Sequence, residues 1–124
     1  MSCPSDLKYS KDHEWARVDG NICTIGITDH AQCELGDIVY VDIDESLTEV
    51  TVGANFGTIE AVKAVSDLLS PVTGKVVEIN NGLNADPAVV NSDPYGAGWM
   101  IKVEMSNPSE IDNLMSADDY MNFI

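Results

Sequence analysis

Positive charge is scarce in this 124-residue sequence: six Lys plus Arg stand against 21 Asp plus Glu, a formal net charge of −15. A polyphosphate backbone would be repelled by most of such a surface, which excludes DNA and RNA as natural partners. Long apolar runs are absent too. Nothing approaches the roughly 20 residues that span a bilayer, and Met1-Ser2-Cys3-Pro4 offers neither a basic segment nor an apolar signal stretch. The expectation is a soluble intracellular protein with no membrane partner. The three cysteines, Cys3, Cys23 and Cys33, form an odd set without Cys-x-x-Cys spacing, which predicts free thiols in a reducing compartment. Only two histidines occur, His13 and His30, with no His-Glu-x-x-His, no paired-histidine spacing and no Gly-x-Ser-x-Gly; these absences argue against a zinc site or a hydrolase. The nine glycines are scattered and never build a phosphate-cradling loop that opens a helix.

What is present is enough for one core. A chain of this length removes about two thirds of its unfolded surface on folding, and 44% of its residues are hydrophobic, so residues 1–124 are expected to form a single domain without disulfide support. Residues 21–28 alternate, with Cys23, Ile25 and Ile27 on one face, and read as a strand preceded by an Asp19-Gly20 turn and a partner strand through Trp15. Thr28 is placed to cap a short helix over 29–35, with Asp29 in its first turn and Gly36 closing it. Period two in 38–43 puts Val39, Val41 and Ile43 together. The acidic stretch 42–49 lacks the ligand series and turn glycine of an EF-hand and reads as a solvated face. His13-Glu14 has the chemistry of an acid and base pair, but at a strand start it reads first as a partly exposed polar pair.

In the middle of the chain one cation stands alone between Arg17 and Lys75. It is Lys63, set among Ala61, Val62, Ala64 and Val65. A hydrated ammonium among small apolar residues belongs at a tip or edge. Residues 57–79 read as strand, tight turn, strand, turn, strand, with Ile59 and Val62 inward and Lys63 at the first reversal. Residues 80–94 read as loop with one helical turn, and 99–103 as a last strand. Two C-terminal helices follow, the first capped by Asn107 with Pro108 at its start, the second opened by Ser116 and Asp119 at capping-box spacing.

Four stretches together resemble the glycine cleavage system H proteins, a family of lipoyl carriers: 9–15 (Tyr-Ser-Lys-Asp-His-Glu-Trp), 24–32, 57–67 (Gly-Thr-Ile-Glu-Ala-Val-Lys-Ala-Val-Ser-Asp) and 91–100. The third alone would indicate only some lipoyl or biotinyl domain; biotin carriers flank their lysine with methionines, where this chain has Val62 and Ala64. The resemblance implies a mainly β fold, a flattened, hammerhead-like barrel of two antiparallel sheets with short helices, including C-terminal ones. It implies lipoate amide-linked to Lys63 and no catalytic or metal-ligating residue. It also implies a surface cleft for the loaded arm, in which Glu14 and Asp67, with Asp12 less directly, match the polar groups that hold a cationic aminomethyl amine. The partners implied are glycine decarboxylase with its pyridoxal phosphate, a tetrahydrofolate-dependent aminomethyltransferase, dihydrolipoamide dehydrogenase and a lipoyl-attaching enzyme. The chain itself is expected to be a monomeric, non-catalytic shuttle in a bacterial cytoplasm or, alternatively, the mitochondrial matrix. A lipoyl relay or donor that serves other proteins is the rival reading. One departure is that residues 50–56 lack lysines found in several relatives.

Overall fold

A computed structural model describes residues 3–124. Its strands are β1 (Lys8–Tyr9), β2 (Glu14–Asp19), β3 (Ile22–Ile27), β4 (Ile38–Asp42), β5 (Glu49–Val50), β6 (Asn55–Ala61), β7 (Val65–Leu69), β8 (Gly74–Ile79) and β9 (Ile101–Met105). The helices are α1 (Asp29–Leu35), α2 (Gly82–Ala85), α3 (Val89–Ser92) and α4 (Ala117–Phe123), with a 3-10 helix over Pro108–Asn113. Two antiparallel sheets result, one in the order β1-β2-β3-β9-β8-β5 and one in the order β4-β6-β7, which is the mainly β, two-sheet architecture expected.

The β2–β3 hairpin turns at Gly20, in the left-handed region at φ 63°, and pairs Asp19 with Ile22. Cys23, Ile25 and Ile27 are all buried, as their alternation requires. Opposite Trp15 in the register stands Gly26, where a Cβ would come within 2.7 Å of the indole ring; only glycine lets the indole lie flat on the sheet. Trp15 Nε1 then donates to the Pro94 carbonyl at 2.9 Å and Arg17 to the Tyr95 carbonyl at 2.7 Å, tying the loop after α3 onto β2.

Helix α1 has the predicted bounds. Thr28 Oγ1 accepts from the Ala31 N–H, Asp29 lies in the first turn, and Gly36 ends the helix at φ 83°. Two clusters carry the hydrophobic contacts. The larger lies between the sheets around Ile25, Val41, Ile59, Leu68 and Val103, and the smaller gathers Leu7, Tyr9, Trp15, Ala117 and Tyr120 where α4 meets β1.

Several local expectations are corrected. Val39 is 52% exposed while Val41 is 1% exposed, because a register shift between Ile38 and Tyr40 lets Ile38 take the inward position; a β-bulge breaks the period of two. Val62 points outward, 71% exposed, since β6 ends at Ala61 and the chain is already reversing. Residues 80–94 hold two short helices rather than one turn. The last strand begins at Ile101, because the Trp99 N–H is still bonded within a turn to the Gly96 carbonyl. Asn107 makes no side-chain cap; the segment it opens is a 3-10 helix whose Glu110 reaches across to the Thr73 N–H and hydroxyl. Ser116 does cap α4, accepting from the Asp119 N–H. The three cysteines are free.

Candidate functional site

The β6–β7 hairpin carries Lys63 at its tip. Glu60 pairs with Val65, and the Ala61 N–H donates to the Ala64 carbonyl at 2.8 Å, so Val62 and Lys63 are the two central residues of the reversal. Neither has positive φ, and the turn therefore needs no glycine. The Val62 N–H donates to the Asp37 carbonyl at 3.0 Å, which pins the tip to the chain entering β4. Lys63 is exposed, and among the described residues no carboxylate lies within ion-pair distance of its amine. An uncommitted, projecting ε-amine is the chemistry that amide linkage to a carboxylic acid requires, so Lys63 fits the attachment of a lipoyl group.

Beside this hairpin lies a cleft of about 180 Å³. Its apolar wall is Ile27, Leu35, Ile59 and Leu68, and its acidic groups are Asp12, Glu14, Glu34 and Asp67. The structure thus brings together all three carboxylates predicted from sequence, and adds Glu34. Asp67 follows Lys63 by four residues, about 13 Å along an extended strand.

Glu14 enters the cleft through an unusual loop. β1 and β2 pair Tyr9 with Trp15, the Ser10 N–H donates to the Glu14 carbonyl at 2.9 Å, and residues 11–13 make the reversal. His13, the last of them, has φ 68°. A three-residue hairpin loop characteristically ends on a left-handed residue, and here a histidine takes that place at some steric cost. Its ring lines the cleft and is held from behind: His13 Nδ1 lies 2.8 Å from the Tyr120 hydroxyl, which is itself 2.7 Å from Thr28 Oγ1, and the His30 ring centroid is 4.9 Å away. Burial, then the proximity of His30, lower the His13 pKa.

The Glu14 side chain is 2% exposed. This corrects the partly exposed reading of the His13-Glu14 pair. Ser10 Oγ donates to Glu14 Oε1 at 2.9 Å and accepts from the Glu14 N–H at 3.1 Å, and the Leu69 backbone also hydrogen-bonds the carboxyl. Burial dominates nonetheless and, with Asp12 nearby, pushes the Glu14 pKa up to about 8 against the lowering effect of Ser10 and Leu69. Burial at this position thus favours the protonated, neutral carboxyl. No group of three or more potential metal-ligating side chains is assembled among the described residues, and no described helix is long and apolar enough to cross a membrane.

The model of the glycine cleavage H-proteins matches residues 7–124. The chain belongs to that family. A glycine cleavage system H protein of Carboxydothermus hydrogenoformans is 57% identical over 117 residues, covering 94% of this chain and 90% of the relative. Another, from Staphylococcus haemolyticus, is 54% identical over 124 residues, covering 100% and 98%. The crystal structure of a glycine cleavage system H protein from Mycobacterium marinum superposes with a TM-score of 0.86 at 36% identity, covering 98% of this chain and 99% of that one. The two-sheet fold is therefore the flattened barrel of the H-proteins, and the chain is a carrier component of its system rather than an enzyme.

Ser10, Glu34 and Tyr120 were not singled out for the site by sequence reasoning, and His13 was weighed only as half of an acid and base pair with Glu14. For Glu34 a signal existed, since Ala31, Glu34 and Leu35 share one helical face. The Ser10–Glu14 bond and the Tyr120–His13 contact depend on a hairpin register and on the return of the C-terminus, neither of which leaves a local pattern.

Proposed function

We propose that this chain is the lipoyl-bearing shuttle of glycine cleavage, one carrier domain over residues 1–124, with Lys63 as the attachment site and the Asp12, Glu14 and Asp67 cleft as the bed for the loaded arm. The observation that carries the reading is the pairing of an exposed, unpaired lysine at a hairpin tip with an acidic, apolar-walled cleft on the same hairpin. Lipoate bound at Lys63 would supply a disulfide that accepts the aminomethyl group of glycine and is afterwards reoxidised.

The chain's own residues do the rest. Lys63 tethers, which raises the effective concentration of the arm at each partner. The carboxylates of Asp12, Glu14 and Asp67 receive the cationic amine by charge-assisted hydrogen bonds. Ile27, Ile59 and Leu68 keep water from the seated group. The partners on this reading are glycine decarboxylase, the aminomethyltransferase, dihydrolipoamide dehydrogenase and a lipoyl-attaching enzyme, in the cytoplasm of a bacterium, with the carrier acting as a monomer.

Complementation tests the role. A strain lacking its glycine-cleavage carrier should regain growth on glycine as nitrogen source when it expresses this chain, and should not with Lys63→Arg. Lipoylation of the chain without restored growth would replace the shuttle by a lipoyl relay or donor.

A further inference from the structure

Glu14 is a buried acid that, on the carrier reading, receives a cation, and the groups around it set the terms. Asp12 and His13 from the β1–β2 loop, Glu34 from α1 and Asp67 from β7 line the same cleft, the Tyr120 hydroxyl from α4 interacts with Glu14, and His30 from α1 stands behind, against the His13 ring. Among these titratable groups none is a lysine or arginine. The neutral partners are the Leu69 backbone and Ser10, and Ser10 alone contacts Glu14 three times: backbone to backbone, hydroxyl to carboxyl and N–H to hydroxyl. Ser10 is itself buried, at 8% exposure, so its hydroxyl has little competing water and is committed to Glu14.

We propose that Ser10 is a positioning residue for the arm cleft: its hydroxyl holds the Glu14 carboxyl at the cleft wall, where seating a cationic arm drives the carboxyl proton out. The step balances simply. The amine enters as an ammonium, the Glu14 O–H bond breaks, its proton passes to solvent, and an N–H⁺ to carboxylate hydrogen bond replaces it. One proton leaves for each arm seated at pH below the Glu14 midpoint. The Ser10 hydroxyl favours the ionised carboxyl because it donates to it, so removing that donor makes the proton harder to expel. This rests on the carrier reading given above, but its first test does not.

Carbon-13 NMR titration of the Glu14 carboxyl in the protein without a lipoyl group reads the pair directly. The parent should titrate far above the roughly 4.3 of an ordinary glutamate. Ser10→Ala should raise the midpoint by about one unit, the effect of losing one hydrogen bond to a charged group, and Ser10→Thr, which keeps the hydroxyl, should restore it. In lipoylated, aminomethyl-loaded protein, release should slow as pH rises through the same midpoint. Ser10→Ala should shift that profile by the same amount, making release at pH 7 close to tenfold faster while Ser10→Thr matches the parent. An unmoved Glu14 midpoint in Ser10→Ala, or a parent Glu14 that titrates in the ordinary range, overturns the proposal; so does a release profile that ignores the substitution. If Lys63 accepts no lipoyl group, the carrier reading falls on its own, and the NMR titration still decides the Ser10–Glu14 pair by the same criterion.

Discussion

The two ends of the site differ in how they are built. At the hairpin tip, Lys63 stands in solvent with exposed Val62 and Val65 on either side, and little holds it beyond the two backbone hydrogen bonds of the turn. In the cleft, Glu14 is enclosed by both sheets and α1, bonded to Ser10 and to the Leu69 backbone, and carries a raised pKa. On the proposed reading, the tip presents and the cleft retains. A carrier needs both properties, because a modifying enzyme must reach the lysine while the cargo must be kept from water between partners.

The sharpest way to break this contrast is to empty the cleft of charge. Glu14→Ala combined with Asp67→Ala should speed release of the bound aminomethyl group by at least about tenfold, since hydrogen bonds to charged groups contribute roughly 1.5–3 kcal/mol each. Lipoylation of Lys63 should proceed as in the parent. Release kinetics followed after loading check the first point, and unchanged kinetics would remove the retaining role from these carboxylates.

A second test uses the buried proton. The folded Glu14 carboxyl keeps its proton to about pH 8, whereas its ordinary value is 4.5. The stability that neutral Glu14 permits is therefore complete below 4.5 and is lost as pH rises through 8. Chemical denaturation between these limits should show stability falling by up to about 1.4 kcal/mol per pH unit from this group, and Glu14→Gln should flatten that slope. His13 behaves oppositely. Its lowered pKa favours the neutral ring, so its contribution is present above the ordinary 6.5 and lost as pH falls through the folded value.

Smaller effects sharpen the comparison further. Tyr120→Phe removes the hydroxyl shared by half-buried His13 and buried Thr28 and should cost about 1 kcal/mol, since Thr28 keeps its bond from the Ala31 N–H, with Glu14 displaced as the His13 loop relaxes. Ser116→Ala deletes the α4 cap and should cost about 1 kcal/mol, measurable by thermal denaturation. Val62→Thr, at the exposed tip, should stay within about 0.5 kcal/mol of the parent. A large loss there would mean that the tip is as built as the cleft.

Legibility in the sequence follows the same division. Helix α1 could be bounded to the residue because Thr28, Asp29 and Gly36 are each local devices whose physics lies in the adjacent backbone. The place of Lys63 was legible for the same reason, as a lone cation in small apolar company at a reversal, whereas its reading as an attachment site came from resemblance. Asp67 and Glu14 came from resemblance, and nothing near them in the chain announces that α1 and β7 close over Glu14. The outward turn of Val39 was hidden because a bulge shifts the register without changing residue type. Residues 80–94 and the uncapped Asn107 were misread because tertiary bonds, such as Glu110 to Thr73, override the local cap chemistry. Ser10 was invisible as a site residue for the plainest reason: its role exists only once the β1–β2 register sets it opposite Glu14.

The central claim, that the exposed Lys63 amine is where the carrier's arm begins, is tested most directly by intact mass. The protein would be prepared with lipoate, a competent lipoate ligase and ATP, beside Lys63→Arg treated identically. A lipoyl increment on the parent and none on the variant is the predicted result. No increment on the parent, or one that persists in the variant, would contradict the account and separate the lysine from the cleft beside it.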